Sequence, residues 1–201
     1  MDQCARKGEV TVIKGPMYCG KSTELIRFVK RQQYADKKVQ VFRPVADTRS
    51  PSNTVQSRDM GTIEAAEIDS LDEIPQLIDA ATQVIAIDEV QFLPGIADFC
   101  VAMADKGLDV IVAGLDFTYQ GTPFRMDGFG CIQDVVAEKT ISLTAVCMQK
   151  GCDNEAVFSE RIVRGDGIKL TGDKEAYRAV CRQHYGTYRL PSPIQFCNEK
   201  Q

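Results

Sequence analysis

Residues 15–22 are the stretch of this chain whose residue types and spacing most directly predict chemistry. They read Gly-Pro-Met-Tyr-Cys-Gly-Lys-Ser and fit the pattern GxxxxGK[ST]. In such a loop, backbone amides surround a di- or triphosphate, the lysine reaches the β- and γ-phosphates, and the hydroxyl is a ligand of Mg²⁺. We therefore expect phosphate transfer or hydrolysis. The alternative is a glycine turn that happens to carry a lysine and a serine.

A pair of acids, Asp88 and Glu89, follows a near-continuous apolar run at residues 83–87. Such a run indicates a buried parallel strand, which presents its carboxylates at the edge where open α/β sheets bind ligands. There, Asp88 would hold the hydration shell of Mg²⁺, and Glu89 would be the base for an incoming hydroxyl or water. By itself the pair would also fit a strand end at the surface, but together with the glycine-rich loop it favours the functional interpretation.

Asp47, Thr48 and Arg49 follow a second predicted strand at residues 38–43. Arg49 could bridge phosphate oxygens during transfer, and Asp47 could lie beside the ligands of Mg²⁺. The alternative is an Asp/Arg ion pair in a surface loop. Residues 50–54 are rich in turn formers, so we expect this loop to be mobile until a ligand binds.

Two ligand pairs in the last third of the chain predict a metal site: Cys147 with Cys152, and Cys181 with His184. Three thiolates and one imidazole make a closed tetrahedral zinc site, which indicates a structural role. Cys197 is a reserve ligand. The connecting segment, held at both ends by the metal, is expected to form a lid over a neighbouring pocket. The alternative is a zinc-ribbon hairpin that binds a protein or nucleic acid.

The remaining patterns alternate between strands and helices, which predicts a parallel sheet with right-handed crossovers. Residues 70–73 form a capping-box pattern for one of the helices, although Pro75 fits that helix poorly. The aromatic loop at residues 116–124 could stack on a base or simply cover the core. The predicted strands are residues 9–14, 38–43, 63–68, 83–87, 108–115 and 141–146, and the predicted helices are residues 23–33, 70–81 and 94–106.

Composition limits the classes of function. With 201 residues, 44% hydrophobic and 26% charged, the chain can form one α/β domain with a small appendage. A formal net charge of -4 and a pI of about 5.1 disfavour nucleic acid as a partner. We expect no membrane partner and a cytoplasmic location, since neither a spanning apolar run nor an export leader is evident. In a reducing compartment the eight cysteines would be thiols or metal ligands.

Taken jointly, these motifs resemble the type II, cytosolic-type thymidine kinases. The resemblance extends from about residue 9 to residue 186. It is carried by residues 15–25, 47–49, 87–92, 114–116, 123–124, 143–147 and 172–185. The first metal pair is Cx4C where many family members have CxxC, and the second is CxxH where some have CxxC.

The resemblance implies an α/β fold: a P-loop RecA-like core with a parallel sheet at residues 1–142, and a small zinc-binding subdomain at 143–201 that carries a lasso-like lid. It implies a Mg²⁺-dependent kinase with a structural Zn²⁺, which transfers the γ-phosphate of ATP to the 5′-hydroxyl of thymidine in nucleotide salvage. It also implies feedback inhibition by dTTP and a homotetramer.

The resemblance further assigns site residues by position, with Glu89 as the catalytic base. The residues implied for ATP and Mg²⁺ are Gly15, Pro16, Met17, Tyr18, Cys19, Gly20, Lys21, Ser22, Asp47, Thr48, Arg49, Asp88 and Gln91. Those implied around the nucleoside are Met17, Gln91, Phe92, Leu115, Tyr119, Phe124, Ile168, Lys169, Leu170, Thr171, Gly172 and Tyr177.

Two other classes of function stay open. A RecA-type P-loop ATPase with a nucleic-acid-binding zinc ribbon would use Glu89 to activate water, and its turnover would respond to DNA or RNA. A catalytically weak nucleotide-binding scaffold would bind ATP without transferring phosphate. A GTPase is disfavoured, because the sequence has no Asn-Lys-x-Asp element to recognise guanine.

Overall fold

The structure, a computed structural model, describes residues 6–48, 53–57, 59–125, 130–163 and 175–186. Its strands are β1 Val10–Lys14, β2 Val39–Pro44, β3 Thr54–Ser57, β4 Gly61–Glu64, β5 Ala66–Ile68, β6 Val84–Ile87, β7 Asp109–Gly114, β8 Lys139–Ser142, β9 Ala145–Val146, β10 Glu155–Ala156, β11 Phe158–Arg161 and β12 Tyr177–Val180. Its α-helices are α1 Lys21–Tyr34, α2 Ile74–Leu77 and α3 Ile96–Asp105, and short 3-10 turns lie at Leu71–Glu73, Val90–Phe92 and Ile132–Asp134.

The centre of the described chain is a six-stranded sheet in the order β5-β2-β6-β7-β1-β8. Each neighbouring pair in this sheet is parallel. The α/β class with a parallel sheet is therefore confirmed. Because parallel strands share one direction, the loops that follow β1, β2, β6 and β7 all leave from the same edge.

Both faces of this sheet are buried, which explains why its strands are near-continuous apolar runs. Alternate residues point to opposite faces: Val110 and Val112 of β7 pack with α3, whereas Ile111 and Ala113 pack with α1. The predicted apolar face of α1 is buried as expected. It consists of Leu25, Ile26, Phe28 and Val29.

The chain between β2 and β6 differs from the prediction. A single strand at residues 63–68 is wrong, because this stretch changes partner at Ala65. Strand β4 pairs antiparallel with β3, whereas β5 pairs parallel with β2. The loop predicted at residues 50–54 ends in a strand, since Thr54 begins β3. Asn53 lies in a turn, as expected, and residues 50–52 lie outside the described residues.

The helix predicted over residues 70–81 is also wrong in length. Ser70 and Glu73 form the expected capping box, but only the 3-10 turn Leu71–Glu73 and the four-residue α2 follow. Pro75 is tolerated because it lies in the first turn of α2. Gln40 then caps the end of α2, as its Nε2 donates to the carbonyl of Leu77 at 3.1 Å.

Two further boundaries are corrected. Helix α3 begins at Ile96 rather than at residue 94, because Gly95 precedes it in the left-handed region with φ 83°. The strand predicted at residues 141–146 is two strands: β8 ends at Ser142 in the central sheet, and β9 pairs antiparallel with β10. Strands β11 and β12 form a further antiparallel pair. We call β9–β12 with the adjacent residues 147–154 and 181–186 the cysteine module.

The helices of the described residues are α1, α2 and α3 and the short 3-10 turns. None of them combines the length and the apolar character that spanning a membrane would need.

Candidate functional site

The glycine-rich loop joins β1 directly to α1, in the order that the sequence predicted. Gly15 and Gly20 have φ values of 153° and 87°, where glycine is favoured. A side chain at Gly15 would also collide with the chain, since a Cβ there would lie 2.4 Å from the carbonyl oxygen of Leu143. The Lys21 side chain is buried, and its Nζ donates to the carbonyl of Pro16 at 2.7 Å. The loop thus carries a buried ammonium on its inner side.

The two acids lie where β6 ends, next to this loop. Ser22 Oγ donates to Asp88 Oδ2 at 2.7 Å. Ser22 lies in the first turn of α1, after β1, and Asp88 follows β6, a strand that β7 separates from β1. Both Asp88 and Glu89 are buried. Burial, together with the negative charge of Glu89, raises the pKa of Asp88 to about 7. A divalent cation at this position would relieve that electrostatic cost, so the hydroxyl and carboxylate oxygens suit Mg²⁺.

Glu89 has an unusual backbone. Its φ of 52° lies in the left-handed region, which few residues other than glycine adopt. Its N–H donates to Asp88 Oδ1 at 3.0 Å, which orients the Asp88 carboxylate. Gln91, assigned to the ATP and nucleoside sites by resemblance, is buried and donates from Nε2 to Glu89 Oε2. Strain of this kind is concentrated at functional sites.

Asp47 lies after β2 at the same edge of the sheet. Its side chain is buried and forms an ion pair with Arg43 of β2, with 3.7 Å between Oδ2 and Nη2. Thr48 follows as an exposed residue. Arg49, the residue predicted to bridge phosphate oxygens, lies outside the described residues.

One cavity of about 760 Å³ joins these groups. Its lining includes predicted site residues from the loop and from the ends of β2 and β6. It also includes residues that sequence reasoning did not identify, in the first turn of α1, on the β3–β4 hairpin, and on or just after β9. The predicted residues in the lining are Met17, Tyr18, Gly20, Lys21, Ser22, Asp47, Asp88 and Glu89, and the additional ones are Thr23, Gln56, Ser57, Asp59, Thr62, Ala145, Val146 and Met148. Thr23, Ala145 and Val146 lie within the stretches that carry the resemblance but were assigned no role, whereas Gln56, Ser57, Asp59, Thr62 and Met148 belong to no motif and reach the cavity through packing.

Four of the residues predicted around the nucleoside pack together: Met17, Leu115, Tyr119 and Tyr177. Their apolar cluster lies between the glycine-rich loop, the end of β7 and β12. Phe92 and Phe124 are not part of this cluster; Phe92 is half-buried and Phe124 is buried. The predicted lid residues Ile168, Lys169, Leu170, Thr171 and Gly172 lie outside the described residues.

The glycine-rich loop is bonded to the cysteine module. The N–H of Met17 donates to Ser159 Oγ of β11 at 2.9 Å, in a buried position. Tyr18 Oη donates to the carbonyl of Tyr177 on β12 at 3.2 Å. The loop therefore depends on two structures: the sheet that precedes it and the module that covers it.

The four predicted metal ligands are brought together. The ligand atoms of Cys147, Cys152, Cys181 and His184 all lie within 4.8 Å of one another. His184 Nδ1 lies 3.5 Å from Cys147 Sγ and 3.2 Å from Cys181 Sγ, and the sulfurs of Cys152 and Cys181 are 3.9 Å apart. Tetrahedral Zn²⁺ with Zn–S bonds near 2.3 Å requires sulfur separations of about 3.8 Å. The arrangement is compatible with one structural zinc ion. The reserve ligand Cys197 lies outside the described residues.

The environment of Cys181 also suits a metal ligand. Burial raises the pKa of this thiol, but backbone N–H groups of His184 and Gln183 donate to the sulfur and outweigh that effect. The pKa of Cys181 is lowered to about 6 as a result. Zinc binds the thiolate, so a thiol that ionises readily releases its proton to the solvent at little cost when metal binds.

Comparison with known proteins gives one consistent family. A sequence model described as thymidine kinase matches residues 8–185. The cytosolic thymidine kinase of Homo sapiens is 41% identical over 181 residues, which cover 89% of this chain and 74% of the human one. The thymidine kinase of Myxoma virus strain Lausanne is 42% identical over 178 residues, covering 89% of this chain and 96% of the viral one. That of Bacteroides fragilis strain YCH46 is 36% identical over 186 residues, covering 92% and 90%.

Proposed function

The chain belongs to the thymidine kinase family, and we propose that it transfers the γ-phosphoryl group of ATP to the 5′-hydroxyl of thymidine, giving dTMP and ADP. One structural observation supports the proposal in addition to family membership. Ser22 Oγ bonds Asp88 at 2.7 Å, and Glu89 follows directly, so phosphate-binding and proton-accepting groups line one cavity. Phosphoryl transfer needs this combination of positioning and charge stabilisation.

The glycine-rich loop would hold the ATP phosphates. Lys21 now donates to the carbonyl of Pro16; with ATP bound, its ammonium would turn to the β- and γ-phosphates, which are stronger acceptors. Ser22, Asp88 and Asp47 lie where they could hold Mg²⁺ directly or through water. By resemblance, Thr48 and Arg49 would also contact ATP or Mg²⁺. When bound, Mg²⁺ neutralises negative charge on the phosphates.

Glu89 would accept the proton of the 5′-hydroxyl as the oxygen attacks the γ-phosphorus. The bond from phosphorus to the ADP oxygen breaks, and the proton stays on the Glu89 carboxylate until product leaves. A positioned general base contributes a factor of roughly 10² to 10⁴ to the rate. Its buried position limits access of water, the competing acceptor.

The apolar cluster of Met17, Leu115, Tyr119 and Tyr177 is the proposed contact surface for the thymine ring. Aromatic and thioether side chains suit a flat ring with a methyl group. By resemblance, Phe92, Phe124 and residues 168–172 would complete this pocket, the last as a lid that contacts the base through main-chain groups. A closed pocket favours a nucleoside hydroxyl over water as the acceptor.

Several further properties are proposed from the resemblance. The Cys3His cluster would hold a structural zinc ion that organises residues 143–201, while residues 1–142 form a P-loop RecA-like core. The protein would be a cytoplasmic homotetramer that acts in nucleotide salvage. dTTP would inhibit it because one molecule carries both a thymidine and a triphosphate, the groups that the two proposed sites bind. Sedimentation and competition titrations test assembly and inhibition separately.

The competing proposal, a RecA-type ATPase stimulated by nucleic acid, is less well supported because the net charge is -4. One experiment separates the two. Purified protein is incubated with γ-labelled ATP and Mg²⁺, together with thymidine, other nucleosides, single-stranded DNA or RNA. Label should appear in dTMP, and thymidine should stimulate ATP consumption. Stimulation by a polynucleotide without label transfer to thymidine would support the ATPase instead.

A further inference from the structure

Gln91 occupies a buried position between the proposed base and the end of β7. It lies in the 3-10 turn Val90–Phe92, and only 5% of its surface is exposed. Its Oε1 accepts the backbone N–H of Leu115 at 3.0 Å, and its Nε2 donates to Glu89 Oε2. One side-chain amide therefore bonds the base to the backbone of the residue that follows β7.

The orientation of this amide is fixed by its partners. A backbone N–H can only donate, so the Leu115 N–H requires the amide oxygen, and the NH₂ group must face Glu89. In that orientation Gln91 donates from Nε2 to Oε2 of the Glu89 carboxylate. A glutamate side chain has three rotatable bonds, and this contact restricts the terminal ones.

The Gln91 side chain passes close to the backbone of Gly114. A Cβ at Gly114 would lie 2.9 Å from Gln91 Oε1 and 2.8 Å from Val90 Cγ2. The backbone of Gly114 is not in the left-handed region, so its conformation does not require glycine. Glycine is needed here because a side chain would not fit against Val90 and Gln91. Glycine at the end of β7 thus permits the close approach that the bond from Leu115 to Gln91 needs.

We propose that Gln91 is a positioning residue, which holds the Glu89 carboxylate against the acceptor hydroxyl and is itself aligned by the backbone of Leu115. Leu115 belongs to the apolar cluster assigned to the nucleoside. The base and the wall of the nucleoside pocket would therefore keep a fixed separation through one amide. This inference rests on the proposed function, in which Glu89 is the base. It differs from the resemblance, which places Gln91 in contact with ATP and with the nucleoside.

Two substitutions at Gln91 test the proposal. Gln91→Met removes both hydrogen bonds, whereas Gln91→Glu keeps an acceptor for Leu115 but presents a carboxylate to Glu89. Each should lower kcat for thymidine phosphorylation by about 10- to 100-fold, the effect of a small misplacement of a reacting group. KM for thymidine and for ATP should change by less than about threefold, because the contact affects the transition state more than binding. Gln133→Met and Gln133→Glu, in the turn Ile132–Asp134 outside the cavity lining, are the matched controls.

A double substitution separates positioning from a general structural effect. In the Glu89→Gln background no carboxylate remains to be positioned, so adding Gln91→Met should change the residual kcat by less than about twofold. Gly114→Ala, which displaces the Gln91 amide without removing it, should lower kcat in the same way. Circular dichroism and the thermal midpoint of each variant establish that it is folded.

Four results would overturn the inference. Folded Gln91 variants could have near-normal kcat while Glu89→Gln is strongly impaired, which would leave the proposed function intact. They could raise KM for ATP at constant kcat, which would make Gln91 a nucleotide contact. Gln91→Met could cause an undiminished loss in the Glu89→Gln background, which would indicate a structural role. Near-normal turnover of Glu89→Gln itself would remove both the proposed role of the base and this inference.

Discussion

The central sheet and the cysteine module are stabilised in different ways. The sheet has large aliphatic side chains on both faces, including Ile13, Ile85 and Ile87, all fully buried. The buried core of the module consists of three alanines, one valine and two cysteines, with the stacked rings of Phe158 and Tyr185 packed against it. Small side chains bury little apolar area, and burial stabilises by roughly 25 cal/mol per Å², so we expect the core of the module to offset less of its ordering entropy than the core of the sheet does. We therefore expect the sheet to be stable by packing, and the module to depend on the zinc ion proposed for its Cys3His cluster.

The two regions also contribute to the site in different ways. The sheet holds the acids at the end of β6, where burial on both faces restricts movement. The module supports the glycine-rich loop from outside, through Ser159 and the carbonyl of Tyr177. The proposed chemistry therefore lies on the more stable region, while the binding surfaces are shared with the less stable one. Loss of the module should weaken binding before it changes the sheet.

The largest expected effect comes from removing a metal ligand. Cys181→Ala should unfold the cysteine module, because a structural zinc site can contribute on the order of 10 kcal/mol to local folding. Hydrogen exchange should become fast in β9–β12 while β1, β6 and β7 stay protected. Thymidine affinity should fall most, and ATP affinity should fall several-fold as the loop loses its two hydrogen bonds.

Cys100→Ala is the matched control for this variant. Cys100 is a fully buried cysteine on α3, in the core of the sheet and outside the metal cluster. Removing the Cys100 thiol should lower the free energy of unfolding of the sheet by about 1 kcal/mol. The zinc content should not change. Absence of zinc from active wild-type protein, by elemental analysis, would show that a metal does not stabilise the module. An equal rise of hydrogen exchange in sheet and module of Cys181→Ala would show that the two regions do not unfold independently.

A smaller effect is expected at Asp88, where burial works against stability. With a pKa near 7 in the folded protein, Asp88 retains a proton that the unfolded chain releases near pH 4. Its contribution to stability is therefore fully present below about pH 4 and is lost as the pH rises through about 7. Asp88→Asn removes this dependence, so it should raise the free energy of unfolding by roughly 1 to 4 kcal/mol at pH 8 and by less at pH 5.

Denaturant titrations without magnesium or nucleotide measure this difference. Asp109→Asn is the control, because it should lower the free energy of unfolding where Asp88→Asn raises it. Asp109 is also buried, which raises its pKa, but Lys37, the N–H of Glu9 and Arg6 together lower it below its usual value. Asp109→Asn should therefore cost stability at neutral pH, and the cost should shrink at low pH. A gain for Asp88→Asn that is equal at pH 5 and pH 8 would disprove the electrostatic account.

The smallest effect is expected from Ser159→Ala, which removes a single bond between module and loop. An unmade hydrogen bond to a buried N–H costs about 1 to 3 kcal/mol, and part of this cost should be recovered by relaxation of the loop. We expect ATP affinity to fall about three- to tenfold with zinc content unchanged. Ser142→Ala, at the exposed end of β8, should have no effect. Unchanged ATP affinity in Ser159→Ala would mean that the sheet alone orders the loop.

Local patterns predicted those parts of the site that depend on one segment. The glycine-rich loop, the acidic pair after β6 and the four clustered cysteine and histidine ligands are each visible as spacing within one or two short stretches. The parallel sheet could be predicted because its strands are near-continuous apolar runs, a pattern that indicates burial on both faces. These features are predictable because each is specified by residues close together in the chain.

The hairpin β3–β4 could not be predicted in the same way. Residues 63–68 alternate as one strand would, and nothing in the side chains shows that the partner changes from β3 to β2 at Ala65. The cavity wall formed by Gln56, Ser57 and Met148 likewise depends on how distant segments pack. Gln91 was assigned to ATP and the nucleoside by resemblance, whereas its hydrogen bonds to Glu89 and Leu115 appear only in three dimensions.

The most direct test of the central claim is the turnover number of Glu89→Gln, measured beside the wild type with saturating ATP and thymidine. Glutamine has nearly the same shape but cannot accept the proton, so kcat should fall by a factor of roughly 10² to 10⁴. The dissociation constants for ATP and thymidine, from titrations of the same preparation, should stay within about threefold of wild type. Near-normal turnover by a folded Glu89→Gln variant would contradict the account.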